Sequence, residues 1–144
     1  MAPTVLDSHV ESVERIKPSQ ANNYGNAHGG EVVKLMDELA AISAMRVAEE
    51  TCVTAHIGSV DFEHPIPVGH VAEVAAYVYG TGRSSLQTRV EVKSRDPRDA
   101  DASLTTAAQF TMVAVGEDGN PVPVARVVAE TDRGRRLVER APSP

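Results

Sequence analysis

The run GGEVVKLMDELAAISAMRVA, from Gly29 to Ala48, constrains the fold more than any other stretch of this chain. Almost every residue in it is a good helix former and no Pro interrupts it. Val32, Val33, Leu35, Met36, Leu39, Ile42 and Met45 wrap most of the way round the predicted helix. A helix apolar on nearly all sides belongs in an interior. At ~1.5 Å per residue it is roughly 30 Å long, which suits a central helix held against a sheet. A carboxylate, Asp37, stands in its middle.

After the helix the hydrophobic period changes from helical to two. Cys52 to Phe62 places Val53, Ala55 and Ile57 on one face, and the following EHPIPVG ends that strand with Pro65, Pro67 and Gly69. Val71 to Tyr79 is nearly apolar on both faces, as a central strand is. Ser85 to Lys93 alternates, with Leu86, Thr88, Val90 and Val92 inward. Ser103 to Val115 reads as a long strand closed by the turn GEDGNP. Upstream of the helix, His9 to Ile16 is expected as a strand before Lys17-Pro18, and 18–28 carries loop chemistry. GTGR (Gly80 to Arg83) predicts a hairpin, and SRDPRDADA (Ser94 to Ala102) an exposed loop. The expected order is therefore strand, long buried helix, then an antiparallel meander of four. This is an α+β arrangement, a long central helix wrapped by a curved antiparallel sheet of about five strands. One face or edge of such a sheet needs cover, and dimerisation supplies it.

A length of 144 residues suits one domain, with a core over about 9–115 and a short C-terminal helix over about 129–141. With 3% aromatic residues and no Trp, that core must be built from Val, Ala, Leu, Ile and Met. The net charge of -6 argues against nucleic acid, which calls for a basic face. The one basic cluster, Arg133, Arg135, Arg136 and Arg140, reads more readily as a solvated helix end than as an anion contact. Cys52 is alone, so no internal disulfide forms, and its place in a strand pattern points to packing. No apolar run reaches the ~20 residues of a membrane span, and a soluble cytoplasmic protein without a membrane partner is expected. His56, His64 and His70 lack metal-ligand spacing, so no metal site is expected. Nucleophile-elbow, Walker and dinucleotide motifs are absent.

Helical spacing puts Val33, Asp37, Ala40, Ala41 and Ala44 on one stripe, whose small side chains leave room beside the carboxylate. Gly30 lies seven residues earlier on the same face. The free amides and positive dipole end there attract an oxyanion, and Gly29 and Gly30 allow close approach. A water activated by Asp37 in a neighbouring site is one reading of the acid; an ion pair with a helix or interface Arg is the other, with equal weight. Asn22 and Asn23 read first as turn residues, His28 as a cap or pocket residue, and Arg83, Ser84 and Ser85 as hairpin polarity or a phosphate contact.

ANNYGNAHGGEVVKLMDELAA resembles the signature of the hotdog-fold acyl-CoA thioesterases, in the branch of the cytosolic acyl-CoA hydrolases. VDFEHPIPVG (Val60 to Gly69) and GRSS are similar to two further motifs of that family, in the right order. The resemblance implies a single hotdog domain that hydrolyses fatty acyl-CoA to the acid and CoA. No cofactor is needed, CoA being part of the substrate. It makes Asp37 the general base or nucleophile, Asn22 the residue that orients water or substrate from the opposite subunit, and Gly30 the oxyanion donor. His28, Gly29, Thr54, Arg83, Ser84 and Ser85 are the implied substrate and CoA contacts. His28 stands where many bacterial members have Phe, as in the cytosolic branch. A homodimer is the minimal unit implied, assembling further to a homohexamer, a trimer of dimers. The alternatives are an acyl-CoA sensor without catalysis and a hotdog enoyl-CoA hydratase.

Overall fold

The computed structural model describes residues 2–141. Its elements are α1 (Val5–Ser8), β1 (Val10–Arg15), a 3-10 turn (Pro18–Gln20), α2 (Gly29–Ala48), β2 (Thr51–Ile57), β3 (Val71–Thr81), β4 (Ser85–Arg95), β5 (Ser103–Val115) and α3 (Asp132–Arg140). The five strands form one antiparallel sheet in the order β1-β3-β4-β5-β2. The α+β class, the central helix and the strand count match the sequence expectation.

Two expectations need correction. The last four strands are not a meander: β3, β4 and β5 follow one another, but β2 pairs with β5 at the far edge. The long connection over 58–70 frees β2 from its neighbour in sequence, so no hairpin holds it to β3. Nor is α2 buried on all sides. Val32, Met36, Leu39, Ala40, Ser43, Ala44 and Val47 form its buried stripe, while Ile42 and Met45 are 47% and 37% exposed.

The core lies between that stripe and the inner face of the sheet. Ala72, Val74, Ala76 and Val78 of β3, Leu86, Thr88, Val90 and Val92 of β4, and Ala108, Phe110 and Met112 of β5 are all buried there. Ala40 and Ala44 against Ala72 and Ala76 bring helix and sheet close without large rings, as the aromatic-poor composition demands. Ala40 and Ala44 thus fill the core and do not open a path to Asp37.

On the outer face α3 packs back across the sheet. Thr131 caps it by accepting from the Gly134 N–H at 2.9 Å, Leu137 is buried, and the Tyr77 hydroxyl donates to the Leu137 carbonyl at 2.7 Å. Among the described residues no helix is long and apolar enough to cross a membrane, and no His/Cys/Asp/Glu cluster could hold a metal.

Candidate active site

Register places Cys52 and Thr54 of β2 opposite Ala114 and Met112, on the inner side of the sheet. Between Thr54 and His56 a β-bulge inserts Ala55, which shifts the alternation, so Ile57 then pairs with the buried Phe110. Val53, Ala55 and Ile57, expected on one face, are therefore split by the bulge, and Cys52, Thr54 and Ile57 lie on the inner side. A bulge re-aims the side chains beside it. The Thr54 hydroxyl donates to Asp37 Oδ1 at 2.5 Å, joining the edge strand to the middle of α2. Asp37 is half-buried and has no salt-bridge partner among the described residues, so the ion-pair reading does not hold within one chain.

The helix N-terminus is built by His28. Its Nδ1 accepts the Gly30 N–H at 3.0 Å, and its carbonyl accepts from Glu31 and Val32 at 2.9 and 3.2 Å. A Cβ at Gly30 would stand 3.2 Å from that ring nitrogen, so glycine lets the imidazole fold over the amide. The Gly29 N–H has no hydrogen-bond partner among the described residues. Asn22 is the Asx-turn residue of the preceding loop: its Oδ1 accepts from the Tyr24 and Asn26 N–H groups at 2.9 and 3.2 Å. Gly25 closes that turn with φ +80°, a conformation that favours glycine. With its oxygen so engaged, the Asn22 amide keeps its NH2 for another partner.

Asn22 and Gly29 line a cavity of about 350 Å3 with Val32, Phe62, His64 and Thr105 among its other walls. Sequence reading assigns no site role to Phe62, His64 or Thr105; the motif VDFEHPIPVG, which holds Phe62 and His64, is the signal that points to the first two. Asp37 does not line this cavity. It lies seven residues below Gly30, ~10 Å along the helix. Arg83, Ser84 and Ser85 sit in the β3–β4 hairpin, outside the cavity, with Ser85 opposite Val113 of β5. One chain thus assembles Asp37 with Thr54, and His28 with Gly30, Gly29 and Asn22 around the helix start. It does not bring the two groups together, nor the hairpin to either.

The sequence profile of the thioesterase superfamily matches residues 24–100, from the Asx turn through the bulge to the end of β4. The chain belongs to this superfamily. Among its relatives is an uncharacterised acyl-CoA thioester hydrolase of Bacillus subtilis, 35% identical across 88% of this chain and 73% of that one. Another is the cytosolic acyl coenzyme A thioester hydrolase of Rattus norvegicus, 31% identical across 94% of this chain and 36% of that one. Among solved structures, an apo-hexameric acyl-CoA thioesterase superposes with a TM-score of 0.89 at 37% identity, covering 96% of this chain and 89% of the other. An acyl-CoA hydrolase from Staphylococcus aureus, solved with butyryl coenzyme A, coenzyme A and coenzyme A disulfide, gives 0.90 at 30% identity over 99% and 87%. The S. aureus enzyme is also solved as three variants, in which a Thr, an Asp and an Asn are each replaced by Ala.

Proposed function

We propose that the protein is an acyl-CoA thioesterase that works as a homodimer, each site drawing on both chains. The observation that carries this is the Thr54–Asp37 hydrogen bond at the β2 bulge. It joins two of three residues whose spacing recurs in the S. aureus hydrolase. There, the Asn and Asp chosen for replacement are fifteen residues apart and the Asp and Thr seventeen, as are Asn22 and Asp37, and Asp37 and Thr54, here. Superfamily membership and relatives named acyl-CoA hydrolases support the same reaction.

In this reading the thioester carbonyl lies at the helix N-terminus of one chain, near the Gly29 amide, with Gly30 as a second donor when His28 releases it. Such amides stabilise the oxyanion that develops at the carbonyl. The Asn22 NH2 of that chain orients water or substrate. Asp37 of the second chain takes a proton from water as hydroxide adds to the carbonyl carbon. The tetrahedral intermediate collapses by breaking the C–S bond, and the proton returns from Asp37 to the CoA thiolate. Direct attack by Asp37 to give an anhydride is the second route. A reacting centre spans ~3 Å, whereas the helix start and Asp37 of one chain are ~10 Å apart, which is why two chains are needed. Arg83, Ser84 and Ser85 are assigned to the CoA phosphates across the same interface, Thr54 and His28 to the substrate side. The hexamer formed by a relative makes a trimer of dimers the expected assembly, and a relative named as a cytosolic hydrolase makes the cytoplasm the expected compartment.

Incubation with acyl-CoAs of graded length, reading released thiol, tests the activity. Release that depends on Asp37 is expected. Tight binding without release would assign a sensor instead, and hydration of an enoyl-CoA a hydratase.

A further inference from the structure

A cavity of about 810 Å3 lies away from Asp37, between α3 and the outer face of the sheet. Its floor is a grid set by strand register: Val13, Glu73 and Lys93 in one row across β1, β3 and β4, and Glu11, Ala75 and Glu91 in the next. Ala75, the small residue at the grid's centre, leaves the hollow. The wall is α3, whose Arg133, Arg136 and Arg140 line the groove beside the buried Leu137. These three arginines are exposed, as a solvated helix end is expected to be, while also lining the groove; Arg135 turns aside, to Asp132.

The charges around this groove do not cancel. Glu91, which is buried, is held by both Arg89 at 2.9 Å and Arg140 at 3.1 Å, and Glu73 is held by Arg95. Lys93, Arg133 and Arg136 have no ion-pair partner among the described residues, against the carboxylates of Glu11 and Glu139. Six cations and four carboxylates line the groove or pair with its lining, in a chain where carboxylates outnumber cations by 20 to 14. Burial lowers the pKa of His9 at the groove's end, with opposed contributions from Glu11 and from Arg133 and Arg140, so near neutral pH it adds no positive charge.

We propose that this groove is a second ligand site, for a small molecule bearing a diphosphate. Arg133 and Arg136, one turn apart, offer two planar forks to adjacent phosphoryl groups, and Lys93 supplies a point charge from the floor. The volume falls in the range of small-molecule sites, about 300–1,000 Å3. The site is independent of Asp37 and of acyl-CoA hydrolysis.

Calorimetric titration of the full chain with inorganic pyrophosphate tests this. A saturable site is expected, weakened at least tenfold in Arg133→Gln/Arg136→Gln and in Lys93→Gln and unchanged in Arg98→Gln, which lies outside the groove; Arg83→Gln reports any separate binding at the β3–β4 hairpin. All substituted side chains are exposed, so melting curves of the variants should overlay the parent and confirm that they fold. Inorganic phosphate should bind more weakly. Absence of saturable heat, equal affinity in all variants, or loss in Arg83→Gln alone would overturn the site. Citrate binding as tightly as pyrophosphate would overturn its assignment to diphosphate.

Discussion

At the scale of single residues, Asp37 and Thr54 differ in what their loss should reveal. Replacing the proposed base by Asp37→Asn keeps the shape and should cost about 10² or more in kcat, while circular dichroism stays unchanged. Thr54 touches Asp37 Oδ1, so Thr54→Val removes a hydrogen bond to a charged group, about 1.5–3 kcal/mol. A fall in kcat of about three- to tenfold follows if half of that is expressed in the transition state. Thr54→Ser should restore most of it, and a serine variant as slow as valine would show that the hydroxyl does not position the acid. Cys52 makes a separate prediction. Burial first, then the charge of Glu50, pushes its thiol up to about 11. Ellman's reagent should therefore react slowly with the native protein at pH 8 and quickly once it is unfolded. Because the folded pKa is the higher, this thiol's contribution to stability is fully present below about 9 and fades as pH rises toward 11.

Among the elements, the end of α2 carries a visible conflict. Glu49 closes the helix in the left-handed region, φ 55°, and its N–H donates to the Met45 carbonyl at 2.8 Å. A Cβ in that conformation costs roughly 1–2 kcal/mol, and a carboxylate at a helix C-terminus opposes the dipole. Glu49→Gly should thus raise stability by about 1 kcal/mol after glycine's entropy is counted, visible as a higher denaturant midpoint with unchanged slope. A lower midpoint would mean that the Glu49 side chain is held by something that offsets the strain. The elements were legible where a period was long and bounded by turns: β5 ends where its alternation ends, Ser103–Val115, and α2 spans the whole predicted run. Strand partners were less so. Alternation identifies β2 as a strand but not its neighbour, which depends on how the chain crosses over 58–70. The bulge at Ala55 escaped for a related reason, since one inserted residue leaves the apolar pattern intact while reversing its sense. Without that bulge in view, the contact between Thr54 and an acid seventeen positions earlier has no signature in helical spacing.

For the whole molecule, the apolar residues that made α2 read as fully buried explain themselves differently. Ile42 and Met45 on α2, with Ile57 on β2, are all more than a third exposed, and β2 is an edge strand with unpaired backbone groups. A surface of that kind calls for a second copy, and it adjoins the Thr54–Asp37 pair, where the proposed site is incomplete. If the proposed dimer covers this surface, the apolar residues of α2 that one chain leaves exposed are buried in the assembly. Subunit mixing turns this into a measurement. Asp37→Asn and Asn22→Ala chains are each expected to be nearly inactive alone. In a mixed dimer whose sites combine Asp37 of one chain with Asn22 of the other, one site is doubly impaired and the second is intact. Random pairing after co-refolding at equal amounts makes half the dimers mixed, so about a quarter of parental activity should return. If both residues served the same site from one chain, every site would carry a substitution whatever the pairing, and no activity would return. Gel filtration of the mixture establishes that dimers formed, so that failure to recover activity would speak to the site and not to assembly.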